Sequence, residues 1–400
     1  MPPRAQLDLR PPADETECRS LAELLRHAFA DFGRAPEFVD RFIEHVGRDN
    51  LRIVKRGKQV VAGLGLFHFR QWFGGQSVAS PGVTCVAVRA EERGSGVGTR
   101  MMRALVEELR AKRLPLSVLH PSTVPFYRKA GYEPAGVRLT WTLNLNDLGT
   151  DDRSLHVRPM AEQDHDAVCA VHRAYARGNN GNIDRTPREW ERIRVLARET
   201  TYSYVIEQRG RDAGIKGYVI YFERRSDDIM YDLMVRDQAF LTPAAGRRLL
   251  TFLGDHGTIA RRVIYEGGDQ DPLLSLTRIA HPKLRERAAW MLRVVNSAIA
   301  LRERGYPAGL DAELHLEIAD DVLPDNNGRI VLRIADGAGR VRKGGRGRIR
   351  LDVRGLAALY SGYLSAEKLV AAGLAEGGPD DLALASAAFA GPLPWVSDHF

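Results

Sequence analysis

The sequence predicts an α+β protein of three domains, the second a copy of the first that has lost its site. Three observations predict it. The chain has 400 residues, 44% of them apolar and 27% charged, which is globular composition and too long for one ordinary core. The opening theme Leu7-Asp-Leu-Arg-Pro11 returns as Leu155-His-Val-Arg-Pro159, after a polar, turn-rich stretch at 144–153. From about Pro282 the texture changes to new helical and strand patterns. The boundaries implied are 1–147, 148–283 and 284–400.

The first domain is read in order. A short strand at 7–11 precedes a helical stretch from Glu17 to Asp31. Leu51–Lys55 and Gln59–Phe69 form a hairpin around Arg56-Gly-Lys58, and Val83–Val88 is a further apolar strand. The Gly-rich turn Arg93-Gly-Ser-Gly-Val-Gly98 follows, then a helix over Thr99–Leu114 with Met102, Leu105, Val106 and Leu109 on one face. Leu116–His120 is a short buried strand, Pro125–Tyr132 a short helix, and Val137–Leu145 the closing strand.

The second domain repeats the theme with a helix over Ala167–Arg177 and a hairpin from Tyr202–Gln208 to Ile215–Phe222. Asp232-Leu-Met-Val-Arg236 echoes Cys85-Val-Ala-Val-Arg89, a shift of 147 positions that sets Phe240 opposite Arg93, Pro243 opposite Gly96 and Ala245 opposite Gly98. The fold is kept and the glycine loop is lost. In the third domain Arg287–Arg304 reads as a long amphipathic helix, and Glu313–Ile318, Ile330–Ile334 and Ile349–Val353 as strands. Arg340–Arg350 reads as a Gly-rich hairpin turn between Arg329–Ile334 and Arg348–Val353. Short helices at Gly355–Tyr360, Ser365–Ala372 and Pro379–Phe389 lead into the apolar tail Pro392–Phe400.

Several classes are excluded. No run of 18 apolar residues spans a membrane, and the first residues lack an export signal. Cys18, Cys85 and Cys169 are odd in number and scattered, with no metal-ligand spacing, so a metal-independent protein of the reducing cytoplasm is expected. The net charge of +7, from 58 basic and 51 acidic residues, is modest for the length. The basic Arg340–Arg350 stretch has no interleaved aromatic residues for base stacking, so nucleic acid is not expected.

The chemistry is carried by the glycine loop. A strand feeds glycines at 94, 96 and 98, and a helix begins directly after them. Glycines let the backbone approach an anion, and the unpaired first-turn N–H groups of the helix point at it. The spacing is neither G-x-x-x-x-G-K-[ST] nor G-x-G-x-x-G, so nucleotide hydrolysis and dinucleotide binding are disfavoured. The R-x-x-G-x-G pattern closely resembles the pyrophosphate loop of the GNAT acyl-CoA transferases, and Phe126-Tyr127 with Gly131-Tyr132 resembles their catalytic-tyrosine segment.

The whole chain resembles the enhanced intracellular survival (Eis) family of acetyltransferases. Those enzymes are built of a GNAT domain, a degenerate GNAT copy and a sterol-carrier-like domain ending on an aromatic residue, here Phe400. Gly82–Arg89, Leu119-His-Pro-Ser122, Trp290–Asn296 and Arg304-Gly-Tyr306 carry the likeness. The resemblance implies acetyl-CoA as co-substrate, with Val86, Ala87 and Val88 along its pantetheine arm and Arg93, Gly94, Gly96, Val97 and Gly98 around its pyrophosphate. It implies Tyr127 as general acid and the Phe400 carboxylate as general base, with Ser122 and His120 close to the reacting centre. It implies Asp31 in a pocket for a small polycationic amine, an aminoglycoside antibiotic acetylated at one or several amino groups. It also implies a homohexamer. Glu23, Glu37, Asp40 and Glu44 are further candidates for acidic lining. One departure is His399 at the penultimate position, preceded by Asp398, where mycobacterial members have an acidic residue beside the terminal aromatic. Two other functions stay open: acetylation of protein lysines or basic peptides by the same machinery, and lipid carriage by the third domain.

Overall fold

The computed structural model describes residues 8–30, 37–194, 199–225 and 229–400. The first domain contributes β1 (Leu9–Arg10), β2 (Leu51–Arg56), β3 (Gln59–Phe67), β4 (Arg70–Phe73), β5 (Gln76–Ala79), β6 (Gly82–Val88), β7 (Leu116–Leu119) and β8 (Glu133–Asn144). The second contributes β9 (His156–Pro159), β10 (Ile183–Asp184), β11 (Tyr202–Gln208), β12 (Gly214–Arg225), β13 (Tyr231–Phe240) and β14 (Ala260–Gly267), after which comes β15 (Lys283–Val294). The third holds β16 (Ala312–Ala319), β17 (Gly328–Ala335), β18 (Ala338–Lys343), β19 (Ile349–Asp352) and β20 (Ala375–Gly377).

Twelve strands form one sheet in the order β1-β2-β3-β6-β7-β15-β8-β14-β13-β12-β11-β9. Taken from its two ends, this order displays the duplication: β1-β2-β3-β6-β7 is matched by β9-β11-β12-β13-β14. The copies exchange their last strands. β8 closes the first copy in sequence and pairs with β14 of the second, whereas β15 follows the second copy and pairs with β7 of the first. β8 and β15 then pair with each other from Lys283↔Thr142 to Leu292↔Glu133, which welds the two copies.

This exchange corrects the sequence reading of Arg287–Arg304. Residues up to Val294 are strand, and only Ser297–Glu303 are helical, capped by the Asn296 side chain on the Ile299 N–H. Trp290 to Val294 are all buried, and a run buried on every side has no amphipathic period from which to tell strand from helix. The sheet therefore continues past the expected boundary at 283/284. Arg293, inside this run, ion-pairs with Asp320 at 2.7 Å, both side chains fully inaccessible. Asp320 also accepts from the Val322 and Leu323 N–H groups and from the Asn326 side chain. Asp320→Ala should cost about 3–5 kcal/mol, because it strands a buried guanidinium; the fall in thermal midpoint, read by calorimetry, checks it.

In the third domain a five-stranded sheet runs β18-β17-β16-β19-β20. β17 and β18 meet through Asp336-Gly337, both at positive φ (51° and 73°), the Asp-Gly pair that a two-residue hairpin favours. The turn is thus at 336–337, and Arg340–Lys343 belong to β18, not to the turn expected over Arg340–Arg350. The interior is filled by Tyr306, Tyr360 and Phe389 packed about the guanidinium of buried Arg304, which donates to the Tyr360 and Phe389 carbonyls.

Beyond the Pro379–Ala388 helix the chain leaves this domain and passes between the other two. The Val137 N–H donates to the Pro394 carbonyl at 3.0 Å and the Val396 N–H to the Val137 carbonyl at 3.1 Å. β14 stops pairing with β8 at Gly267↔Leu139, so the tail takes up the line along β8 that β14 vacates. No helix among the described residues is long and apolar enough to cross a membrane.

Candidate active site

β6 is the spine of the site. Its register against β3 jumps between Gly63↔Ala87 and Gly65↔Thr84, so Cys85 and Val86 together face Leu64 in a bulge. Cys85 adopts φ 51° there, the left-handed region unusual for a side chain with a Cβ. On its other edge β6 pairs with β7 only at Gly82↔Val118 and Val83↔Leu119. Beyond Val83 the two strands part, leaving main-chain groups of residues 84–88 facing an open wedge. Val86, Ala87 and Val88, the residues expected beside a pantetheine arm, lie on this stretch. The bulge itself was missed in the sequence. Its signal was present, since Gly63 and Gly65 interrupt an otherwise apolar strand.

The wedge leads to the glycine loop. The Val97–Ala111 helix begins on Gly96, which sits at φ 81° and offers no side-chain cap. The Val97 N–H reaches only Ser95 Oγ at 3.4 Å, and helix geometry leaves the Gly98 and Thr99 N–H groups without intrahelical acceptors. A Cβ on Gly98 would come within 3.2 Å of Phe126 and Val88, so this glycine lets the helix settle against the wedge. Glu92 is turned away to Arg56 at 2.7 Å, while Arg93 and Arg100 stay exposed beside the loop. The result is a cationic, amide-lined cradle. Gly96→Val forces a β-branched residue into the left-handed region, at about 1–2 kcal/mol. It should raise the acetyl-CoA KM with little change in kcat, as initial-rate kinetics will show.

The second copy lacks this cradle. Pro243 removes one N–H from the equivalent helix start, and the Thr242 side chain accepts the Ala245 N–H at 3.2 Å. Of the amides at this helix start, Pro243 has none to offer and that of Ala245 is already used.

Tyr127 is buried, 4% exposed, on the Val124–Arg128 helix, with the Phe126 ring 4.8 Å and the Tyr132 ring 6.3 Å away. Burial pushes its hydroxyl above its usual range, and a hydrogen bond with Ser122 pulls it partly back. Tyr132 is structural, its hydroxyl 2.8 Å from Ser117 in the core. Two residues before Ser122, His120 meets the terminus: its ring lies 4.6 Å from that of Phe400 and 5.4 Å from that of His399, with Nε2 3.2 Å from the Asp398 carbonyl. Phe400 also packs on Phe69 at 4.8 Å. The turn 120–122 therefore touches the terminal residue at one end and Tyr127 at the other, and two residues span at most about 7 Å. Burial lowers His120 to about 4, so its imidazole is neutral near pH 7; the His399 ring, exposed on its outer side, is lowered as well, by desolvation of its inner side and by Arg138.

Not every expected residue joins the site. Asp31 lies outside the described residues. Glu23 is held by Arg89 at 3.5 Å and Asp40 by Arg26 at 3.1 Å, both largely exposed, and Glu37 and Glu44 are exposed on the same helical region. These four form a solvated face. Two further carboxyl groups come from the strands: Glu266, beside Trp395 and Ser397 of the tail, and Glu286 share the cation of Arg138, at 2.7 and 3.1 Å. Burial raises Glu266 to about 7. Asp398 does not face a substrate; it is buried on Arg185 and Arg192. Nothing in local sequence marked these partners, because they come from strands and loops more than 100 positions away from the tail.

Comparison with known proteins agrees with this geometry. Models of an acetyltransferase (GNAT) domain match residues 10–135 and 181–294, and a sterol carrier protein domain matches 298–397. An uncharacterized N-acetyltransferase of Streptomyces avermitilis is 31% identical over 368 residues, covering 86% of this chain and 88% of its own. The crystal structure of a GCN5-related N-acetyltransferase from Anabaena variabilis superposes with a TM-score of 0.92 at 32% identity, covering 98% of this chain and 100% of that one. The structure of Eis1 from Mycobacterium abscessus shares the fold, with a TM-score of 0.79 at 20% identity over 98% of this chain and 100% of that one. With a bulged, splayed strand pair, an uncapped glycine loop and a buried tyrosine in the first copy, and with relatives of this likeness over nearly its whole length, the chain belongs to the GCN5-related N-acetyltransferase family.

Proposed function

We propose that the protein transfers acetyl from acetyl-CoA to primary amino groups of a small polycationic amine of the aminoglycoside type, as an enzyme of the Eis kind. The observation that carries the mechanism is the turn 120–122, which contacts both Phe400 and Tyr127. In this reading the Phe400 carboxylate takes a proton from the substrate ammonium, and the freed amine attacks the thioester carbonyl. Main-chain N–H groups of the bulge at Cys85 and Val86 receive the developing oxyanion. As the C–S bond breaks, Tyr127 gives its proton to the departing thiolate, and the surplus proton of the newly acylated nitrogen restores the Tyr127 hydroxyl through water. The carboxylate is a weak base in water. Here the terminal residue is held against the Phe69 and His120 rings, which fixes its carboxylate beside the turn 120–122.

The polycationic substrate rests on the resemblance carried by Gly82–Arg89, Leu119–Ser122 and the terminal Phe400. The filled interior of the third domain speaks against lipid carriage as the main role. Assembly as a homohexamer belongs to the same proposal and is read by sedimentation. The test of function is thiol release from acetyl-CoA with a panel of aminoglycosides, a lysine-rich peptide and buffer alone. Several thiols released per aminoglycoside are expected. Release with the peptide alone would move the substrate to protein lysines, and release with neither would overturn the proposal.

A further inference from the structure

The second domain contains the remains of a cofactor wedge. β13 and β14 run parallel from Tyr231↔Ala260 to Met234↔Ile264 and then part, as β6 and β7 do in the first copy. With its amides capped at Thr242 and Pro243, this wedge has no use for a pyrophosphate. It is not empty. Trp395 of the tail packs into the core made by Phe240, Leu249 and Tyr265, and what is left beside Trp395 and Ser397 is a void of about 10 Å³, room for at most one water.

The tail is tied in this place by polar groups of the second domain. The Trp395 N–H donates to the Asn180 carbonyl at 3.0 Å and its indole N–H to Asn179 at 3.1 Å, while the Asn182 side chain donates to the Trp395 carbonyl at 2.8 Å. Three residues further on, Asp398 meets a buried ion cluster. Arg185 Nε donates to it at 3.1 Å, Arg185 Nη1 and Nη2 grip Asp237 at 2.6 and 2.9 Å, and Tyr218 donates to Asp237 at 2.6 Å. Arg192 reaches the same Asp398 oxygen, Oδ1, at 3.4 Å. The side chains of Arg185, Asp237 and Asp398 are each no more than 3% exposed. Asp237 lies on β13, at the mouth of the wedge. Two guanidinium groups thus face two carboxylates, and of these four groups the tail supplies Asp398.

We propose that the second domain has turned its vestigial cofactor wedge into a receptor for the C-terminal tail, with Arg185 as the positioning residue that sets the Phe400 carboxylate through Asp398. This rests on the reading of that carboxylate as the general base. The duplicated domain thereby has a role of its own. The first copy binds the thioester, the second aims the base, and the exchanged strands β8 and β15 hold the two at a fixed spacing. The same arrangement accounts for His399 at the penultimate position. The acidic side chain sits one residue earlier because it faces Arg185 and Arg192 in the second domain and leaves the substrate side to the terminus.

The test uses the full-length protein with R185Q, R185K and D398N. Phe400 release by carboxypeptidase, followed by mass spectrometry, reports the tail directly, and steady-state kinetics report its consequence. R185Q and D398N should release Phe400 faster than the wild type and lower kcat by about a hundredfold, the scale of a misplacement near 1 Å, with the acetyl-CoA KM unchanged. R185K should recover part of both. Wild-type protection of Phe400 in both R185Q and D398N would overturn the proposal. Should R185Q lose its cooperative melting transition, D398N decides, because it leaves Arg185 paired with Asp237. If removal of Phe400 itself left kcat unchanged, the base assignment would fail, and the carboxypeptidase result alone would judge the receptor.

Discussion

Tyr127→Phe is expected to lower kcat by about 10²–10⁴-fold, the usual contribution of a positioned acid or base, while acetyl-CoA binding stays at wild-type strength. The substitution removes one oxygen from a side chain that is 4% exposed and wedged between two rings, so the packing survives. Equilibrium titration with acetyl-CoA and single-turnover quenching separate binding from chemistry. An acid has to hold its proton, and burial raises Tyr127 above its ordinary value of 10. The activity of the wild type should therefore show no loss attributable to this group below pH 10. A wild-type rate in the variant would leave the thiolate's proton to another donor.

The second large effect is expected at the terminus. Deleting Phe400 draws the carboxylate back by about 3.5 Å and discards the ring contacts with Phe69 and His120. A fall in kcat of about 10²-fold or more follows if the carboxylate is the base. A semisynthetic chain ending in a carboxamide sharpens the test, since it keeps the ring and removes only the charge; equal loss in both forms assigns the effect to the carboxylate. The same corner predicts a pH response. His120, lowered by burial to about 4, is neutral in the folded protein and more basic when unfolded. Its contribution to stability is complete above about pH 6.5 and is lost as the pH falls toward 4. Thermal midpoints should drop across that window, and less steeply in a His120→Phe variant.

The local devices were legible in the sequence for a physical reason: each is made by residues close together in the chain. The loop at 93–98 depends on backbone that only glycine adopts easily, so Gly94 and Gly96 announced it. The Tyr127 segment announced itself in the same way. The duplication was visible because the strand, helix and hairpin patterns recur in the same order after the polar stretch at 144–153. The loss of the loop was visible because no glycine run follows the strand and a proline starts the helix, although the structure sets Thr242, and not Pro243, at the cap position held by Gly96 in the first copy. The Arg287–Arg304 segment was misread because the complete burial of Trp290–Val294 erases the alternation that separates strand from helix. The Arg340–Arg350 turn was misplaced because glycines and charges crowd that run, whereas the pair with the turn geometry, Asp336-Gly337, lies just before it.

What only the tertiary structure decided lies across long sequence separations. The exchange of β8 and β15, the seat of Trp395 between Asn180 and Val137, and the pairing of Asp398 with Arg185 join residues 100 to more than 250 positions apart. Such contacts leave no local pattern, since each partner also reads as an ordinary buried strand residue or solvated charge. The sequence by itself determined the fold class, the loop and the tyrosine, because covalent neighbours and backbone sterics specify them. Where the terminal carboxylate stands, and why a second domain without a cofactor cradle is retained to hold it, was decided by the packing of three domains around one tail.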